Sequence, residues 1–193
     1  MRGGSKIVTV FGSSGPRPGD DQYTQAQMLG MALAENGFVV CSGGYAGVME
    51  AVSRGAKAAG GRTLGITARF FRSRPNAWID EEIRVPTWQE RLFELVRRGQ
   101  GYVTCPGGTG TLVELAVVWE MLNKGVMKKK PIAVFGDFWR PVIECVREAE
   151  LAHASRSSER EEGLIHIASS PREAAEHLAR HLRARSNAAD SHS

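Results

Sequence analysis

The chain has 193 residues, of which 42% are apolar and 24% charged, and its formal net charge is +4. That supplies one ordinary core and excludes a disordered chain, while the small basic excess admits anionic partners without requiring nucleic acid. Cys41, Cys105 and Cys145 are far apart with no CxxC pair, and no apolar stretch reaches the length of a signal segment or membrane span; the expectation is a cytoplasmic protein with no disulfide framework, metal site or membrane partner.

Short β-branched runs alternate with segments of helical period, which predicts βα units on a mostly parallel sheet within one α/β domain. A strand over Lys6 to Phe11 leads through a Gly/Ser/Pro/Asp loop into a helix from about Gln22 to Asn36, closed by Gly37. Phe38 to Cys41 reads as a strand, Val48 to Ala59 as a helix and Arg62 to Ile66 as a third strand. Thr67 to Asn76 mixes arginines and phenylalanines with Ser and Pro and breaks the pattern, so it reads as a mobile excursion near the site. A short strand near Ile83 to Val85, a helix from Gln89 to Arg98 and a strand from Tyr102 to Cys105 follow. After a Gly-rich loop come a long helix to about Asn123, a strand Ile132 to Phe135 and a helix from Trp139 to about His153. An edge strand Leu164 to Ala168 and a helix Pro171 to Arg185 end the domain, taken as residues 1–185, with residues 186–193 as a frayed tail.

Three strand ends carry small turn-forming residues: Gly12-Ser13-Ser14-Gly15, Ser42-Gly43-Gly44-Tyr45-Ala46-Gly47, and Pro106-Gly107-Gly108-Thr109-Gly110-Thr111. In an open parallel sheet such turns share the carboxyl edge, where ligands bind. Glycines allow close backbone approach to a phosphate, and the helix that follows offers unpaired N–H groups and a positive dipole end. The second and third loops fit that use, although one glycine turn alone serves equally to connect a strand to a helix. Neither is a Walker loop, because no Gly-Lys-Ser/Thr follows.

Glu114 falls about one turn into the helix after the third loop, so its carboxylate can reach back toward whatever the loop holds. It either complements the helix N-terminus or, beside a bound ribose phosphate, stabilises an oxocarbenium-like centre or orients water toward C1′. Arg91, in Trp88-Gln89-Glu90-Arg91, suits phosphate and could equally pair with Glu90 or Glu94. Arg69, Arg72, Arg74 and Lys128 to Lys130 read as solvated faces or as a basic lip that steers an anion. The apolar run Leu112 to Leu122 packs on the sheet or on a partner.

Gly43-Gly44-Tyr45-Ala46-Gly47-Val48-Met49, Glu90-Arg91, and Pro106 to Thr111 with Glu114 resemble the motifs of the LONELY GUY family, the cytokinin riboside 5′-monophosphate phosphoribohydrolases long labelled lysine decarboxylases. The resemblance covers roughly Lys6 to Glu148, and its PGGxGTxxE element is specific. It implies a Rossmann-like, doubly wound fold with helices on both faces, and homodimers with sites near the subunit interface. It also implies hydrolysis, without a cofactor, of a nucleoside 5′-monophosphate such as AMP or a cytokinin riboside 5′-monophosphate to free base and ribose 5-phosphate. Arg91 and Glu114 match the family's catalytic pair; Gly12, Ser13, Ser14, Gly43, Gly44, Gly47, Met49, Gly107, Gly108, Thr109, Gly110 and Thr111 are the candidate phosphate and substrate contacts. The chain departs from the family pattern at Leu92, where lysine is usual, at Val113, where an acid is usual, at Thr67 in place of proline, and at Glu50 in place of glycine. Glu50 also resembles the related molybdenum-cofactor carrier branch, which leaves a non-catalytic carrier as the alternative. A decarboxylase is disfavoured, because no lysine is singled out to hold pyridoxal phosphate.

Overall fold

A computed structural model describes residues 5–152 and 164–190. Within these residues seven parallel strands form one sheet: β1 (Ile7–Phe11), β2 (Val39–Ser42), β3 (Thr63–Ala68), β4 (Glu81–Val85), β5 (Gly101–Thr104), β6 (Ile132–Phe135) and β7 (Ile165–Ala168), in the order β4-β3-β2-β1-β5-β6-β7. Among the described residues there are six helices, α1 (Asp21–Glu35), α2 (Val48–Ala58), α3 (Trp88–Arg98), α4 (Thr109–Asn123), α5 (Arg140–Ala152) and α6 (Pro171–Asp190), and a 3-10 turn, Asp137–Trp139, precedes α5. The strand order runs outward in opposite directions from β1 and β5, which makes the fold doubly wound and opens the ligand crevice at their carboxyl ends.

Helices cover both faces. Leu29 and Leu33 of α1, Val52 of α2 and Leu178 of α6 join Val8, Val40 and Val103 on one side of the sheet. Leu92 and Leu95 of α3, Leu115 and Trp119 of α4 and Ile143 of α5 pack with Phe11, Ile66 and Ile132 on the other. The apolar run of α4 therefore divides: Leu115, Val118, Trp119 and Leu122 are buried on the sheet, while Leu112 and Val113 stay exposed. Helices α1 and α2 touch backbone to backbone, since a Cβ on Gly30 would lie 2.0 Å from the Val52 carbonyl oxygen and one on Gly55 would lie 1.9 Å from that of Gln27.

Element boundaries differ from expectation where side-chain pattern is weakest. β4 begins two residues early, at Glu81, because as an edge strand it leaves Glu81, Glu82 and Arg84 exposed and packs only Ile83. β3 continues to Ala68, and α6 continues past Arg185 to Asp190. The expected helix end at His153 and the last three residues of the chain lie outside the described residues. Among the described residues no helix is long and apolar enough to cross a membrane.

Candidate functional site

Above the β1/β5 switch lies a cleft of about 390 Å³, lined by Gly12, Ser13 and Ser14 after β1, by Gly108, Thr109, Gly110, Thr111 and Glu114 of the α4 entry, and by Arg91 of α3. Tyr45 and Met49 from the second loop, Phe71 and Ser73 from the excursion, and Trp88 complete the wall. The third loop is fixed from below: Gln22 Nε2 donates to the Pro106 carbonyl at 2.7 Å, the Cys105 N–H donates to Phe11, and Trp139 Nε1 donates to Cys105 at 3.0 Å. Helix α4 then starts at Thr109 with Gly108 as N-cap and no side chain capping it. Its first N–H groups and the positive end of its dipole face the cleft, the arrangement that binds an anion.

The second loop behaves differently. The Val48 N–H at the start of α2 is taken by the Ser13 carbonyl at 2.8 Å, so this helix end holds the first loop in place. Gly43, Gly44, Gly47 and Gly107 are not among the residues lining the cleft. Gly43 makes room for the arginine: a Cβ there would lie 1.6 Å from Arg91 Nη2. Gly44 and Gly47 adopt φ of +76° and +72°, and Gly47 lies against the backbone of Ser13 and Ser14. Gly107 packs under Thr111, and Gly12 packs under Val48.

Arg91 pairs with neither Glu90 nor Glu94. Glu90 completes a capping box with Thr87, and Glu94 holds Arg97 and Arg98 at 2.6 and 2.7 Å. Arg91 shares the buried face of α3 with Leu92, Leu95 and Val96 and is 6% exposed. Its Nε donates to the Ile66 carbonyl at 2.8 Å, its Nη2 points at Met49 Sδ at 3.6 Å, and its Nη1 lies 3.9 Å from Glu114 Oε1. Burial pushes the Glu114 carboxyl up to about 7, against the opposing pull of Arg91. Burial likewise weakens the charged form of Arg91, and the Glu114 carboxylate supports it. A buried carboxyl brought near neutrality beside a fixed cation, at the lip of an anion seat, is suited to proton transfer or to stabilising a developing positive charge.

The four departures from the family pattern lie off the cleft. Leu92 packs in the core, Val113 faces outward on α4, and Thr67 donates its hydroxyl to Glu82 on β4. Glu50 stands beside Tyr23 and Arg54 where α1 meets α2. Tyr45, Phe71, Ser73 and Trp88 line the cleft without belonging to the site residues expected from sequence; for Phe71 the signal is the pair of adjacent phenylalanines in a basic loop.

The SLOG cluster4 family model matches residues 5–175. The chain is 38% identical over 97 residues to the cytokinin riboside 5′-monophosphate phosphoribohydrolase of Mycobacterium marinum, an alignment covering 49% of this chain and 52% of that protein. It is 32% identical over 119 residues to the protein of the same name from Mycobacterium tuberculosis, covering 60% and 63%. The alignments thus span between half and two thirds of these relatives. The solved structure of the molybdenum cofactor binding protein from the phototrophic bacterium Rippkaea orientalis superposes with a TM-score of 0.69 at 26% identity, covering 93% of this chain and 96% of that one.

Proposed function

This chain belongs to the SLOG cluster4 family, and from that premise we propose that it is a phosphoribohydrolase acting on a nucleoside 5′-monophosphate, AMP or a cytokinin riboside 5′-monophosphate. The observation that carries the reading is the buried Arg91–Glu114 pair beside the uncapped start of α4. In this reading the 5′-phosphate sits against the N–H groups and hydroxyls of Gly108 to Thr111, with Ser13 and Ser14 opposite. The ribose then presents C1′ to Glu114. As the C1′–N bond breaks, its electron pair leaves on the base, and the Glu114 carboxylate stabilises the oxocarbenium-like centre and orients the attacking water. The water oxygen bonds to C1′ and one of its protons ends on the base, giving free base and ribose 5-phosphate with no cofactor consumed. The similarity to the two mycobacterial proteins supports this activity. Incubation with AMP and with an N6-prenylated analogue, followed by chromatography for free base, tests the reading and separates the two substrates; failure to release base from either contradicts it.

A non-catalytic carrier of a nucleotide or of molybdenum cofactor is the second reading, favoured by the likeness to the Rippkaea orientalis protein. Mass spectrometry of gently purified protein distinguishes it, because a carrier retains an intact ligand and turns nothing over. The reading as a hydrolase also includes a homodimer, for which Leu112, Val113 and Val146 offer an exposed apolar surface on α4 and α5. Light scattering is expected to give twice the 21.0 kDa chain mass, and a monomer contradicts it.

A further inference from the structure

Arg91 is held by more than its polar bonds. Its Cζ lies 5.4 Å from the centroid of the Tyr45 ring and 5.5 Å from that of Phe71. The two rings meet edge to face, 5.5 Å apart at 71°. Both distances fall within the roughly 6 Å over which a ring face attracts a guanidinium, and the attraction is strongest where water is excluded. With Nε on Ile66 and Nη2 against Met49, Nη1 is the group turned toward Glu114. The rings thus stand together on one side of a guanidinium whose edge is already directed.

The aromatic pair is itself anchored. Tyr45 donates its hydroxyl to the Ala68 carbonyl at 3.1 Å and accepts from the Ala68 N–H at 3.0 Å. Asn76 returns from the far end of the excursion, its Nδ2 donating to the Tyr45 carbonyl at 3.0 Å and its N–H to Gly44 at 2.8 Å. Phe71 lies between these two anchor points. It is half-buried, belongs to neither core cluster, and lines both the central cleft and a neighbouring cleft of about 700 Å³ shared with Arg69, Phe70 and Trp88. A ring placed there is not needed for the core, and it contacts Arg91.

We propose that Tyr45 and Phe71 are positioning residues, an aromatic brace that backs the Arg91 guanidinium from one side and keeps its Nη1 edge toward Glu114. The catalytic consequence rests on the hydrolase reading; the geometric consequence does not. The titratable groups around Arg91 are Glu114, Tyr45 and Cys41, and Cys41, pushed up to about 12 by burial, stays protonated through neutral pH. Withdrawal of Arg91 therefore registers on Glu114.

The experiment compares wild type with Phe71→Leu, Tyr45→Leu and the aromatic replacements Phe71→Tyr and Tyr45→Phe, with folding checked by thermal melts. Two quantities are read: the ionisation of Glu114 in ligand-free protein, by isotope-edited infrared titration against a Glu114→Gln blank, and kcat and KM for base release from AMP. The brace predicts that both leucine variants raise the Glu114 midpoint by at least about half a pH unit, as the Arg91 charge moves away. It predicts kcat down about tenfold with KM nearly unchanged, and Phe71→Tyr restoring both readouts. An unmoved Glu114 midpoint in folded Phe71→Leu overturns the brace, whatever the rates. Absence of base release in wild type with the midpoint shift present removes the hydrolase reading and leaves the brace standing.

Discussion

Arg91 Nη1 stands 3.9 Å from Glu114 Oε1, with the two side chains 8% and 15% exposed. At that separation and burial the arginine favours the carboxylate, yet the carboxyl is pushed up to about 7 because desolvation outweighs the attraction. Glu114 is therefore near its midpoint at neutral pH and is held beside a permanent charge.

The first consequence is a pH profile. A role for Glu114 as carboxylate requires its proton to be lost, so kcat/KM for base release is expected to climb between pH 5 and 8, half-maximal near 7. Initial rates across that range check it, and a rate independent of pH down to 5 rules the assignment out.

The same shift makes a stability statement. Folding raises the Glu114 pKa from 4.5 to about 7, so between those values the native state binds more protons than the unfolded chain and stability falls as pH rises. Glu114→Gln lacks this loss. Urea titrations are expected to show the variant more stable than wild type by about 1–3 kcal/mol at pH 8, with the difference vanishing toward pH 4.5.

Gly43→Ala tests how the arginine is accommodated. The added methyl would meet Nη2 at 1.6 Å and Met49 Sδ at 2.6 Å, so the guanidinium must swing away while the backbone stays in place. Base release is expected to fall by roughly 10²-fold, since a displacement of about 1 Å in a catalytic group is enough for that, with a stability loss below about 2 kcal/mol. Activity within threefold of wild type contradicts this placing of Arg91.

Gly30→Ala tests the packing of the sheet's other face. Helix propensity alone predicts a gain of about 1 kcal/mol from alanine. The Val52 carbonyl 2.0 Å from the new methyl predicts instead a loss of about 1–3 kcal/mol as α1 and α2 separate. The sign of the change in a denaturant titration decides between them.

Much of this was legible in the chain. The alternation of β-branched runs and helical periods located each of the seven strands of the described residues, because strands buried on both faces read as apolar runs, and Ile132–Phe135 fell where its residues placed it. The exposed glutamates at the start of β4 concealed two of its five residues, since an edge strand need not be apolar. At the site, the α4 entry and Glu114 were visible as a motif. The burial of Arg91 was not, because arginine is usually solvated; its place one turn before Leu95 on the apolar stripe of α3 was the overlooked signal. The aromatic wall depends on the excursion folding back onto Tyr45 through Ala68 and Asn76, contacts across 23 and 31 residues that no local pattern encodes.

A single-turnover measurement decides whether this cleft cleaves a nucleotide or merely holds one. Wild type and Glu114→Gln, each in excess over AMP, are quenched over time and scored for adenine and ribose 5-phosphate. Wild type is expected to yield equimolar products, and Glu114→Gln to leave AMP intact and bound. Intact, bound AMP recovered from both proteins would contradict hydrolysis at this site and favour a carrier.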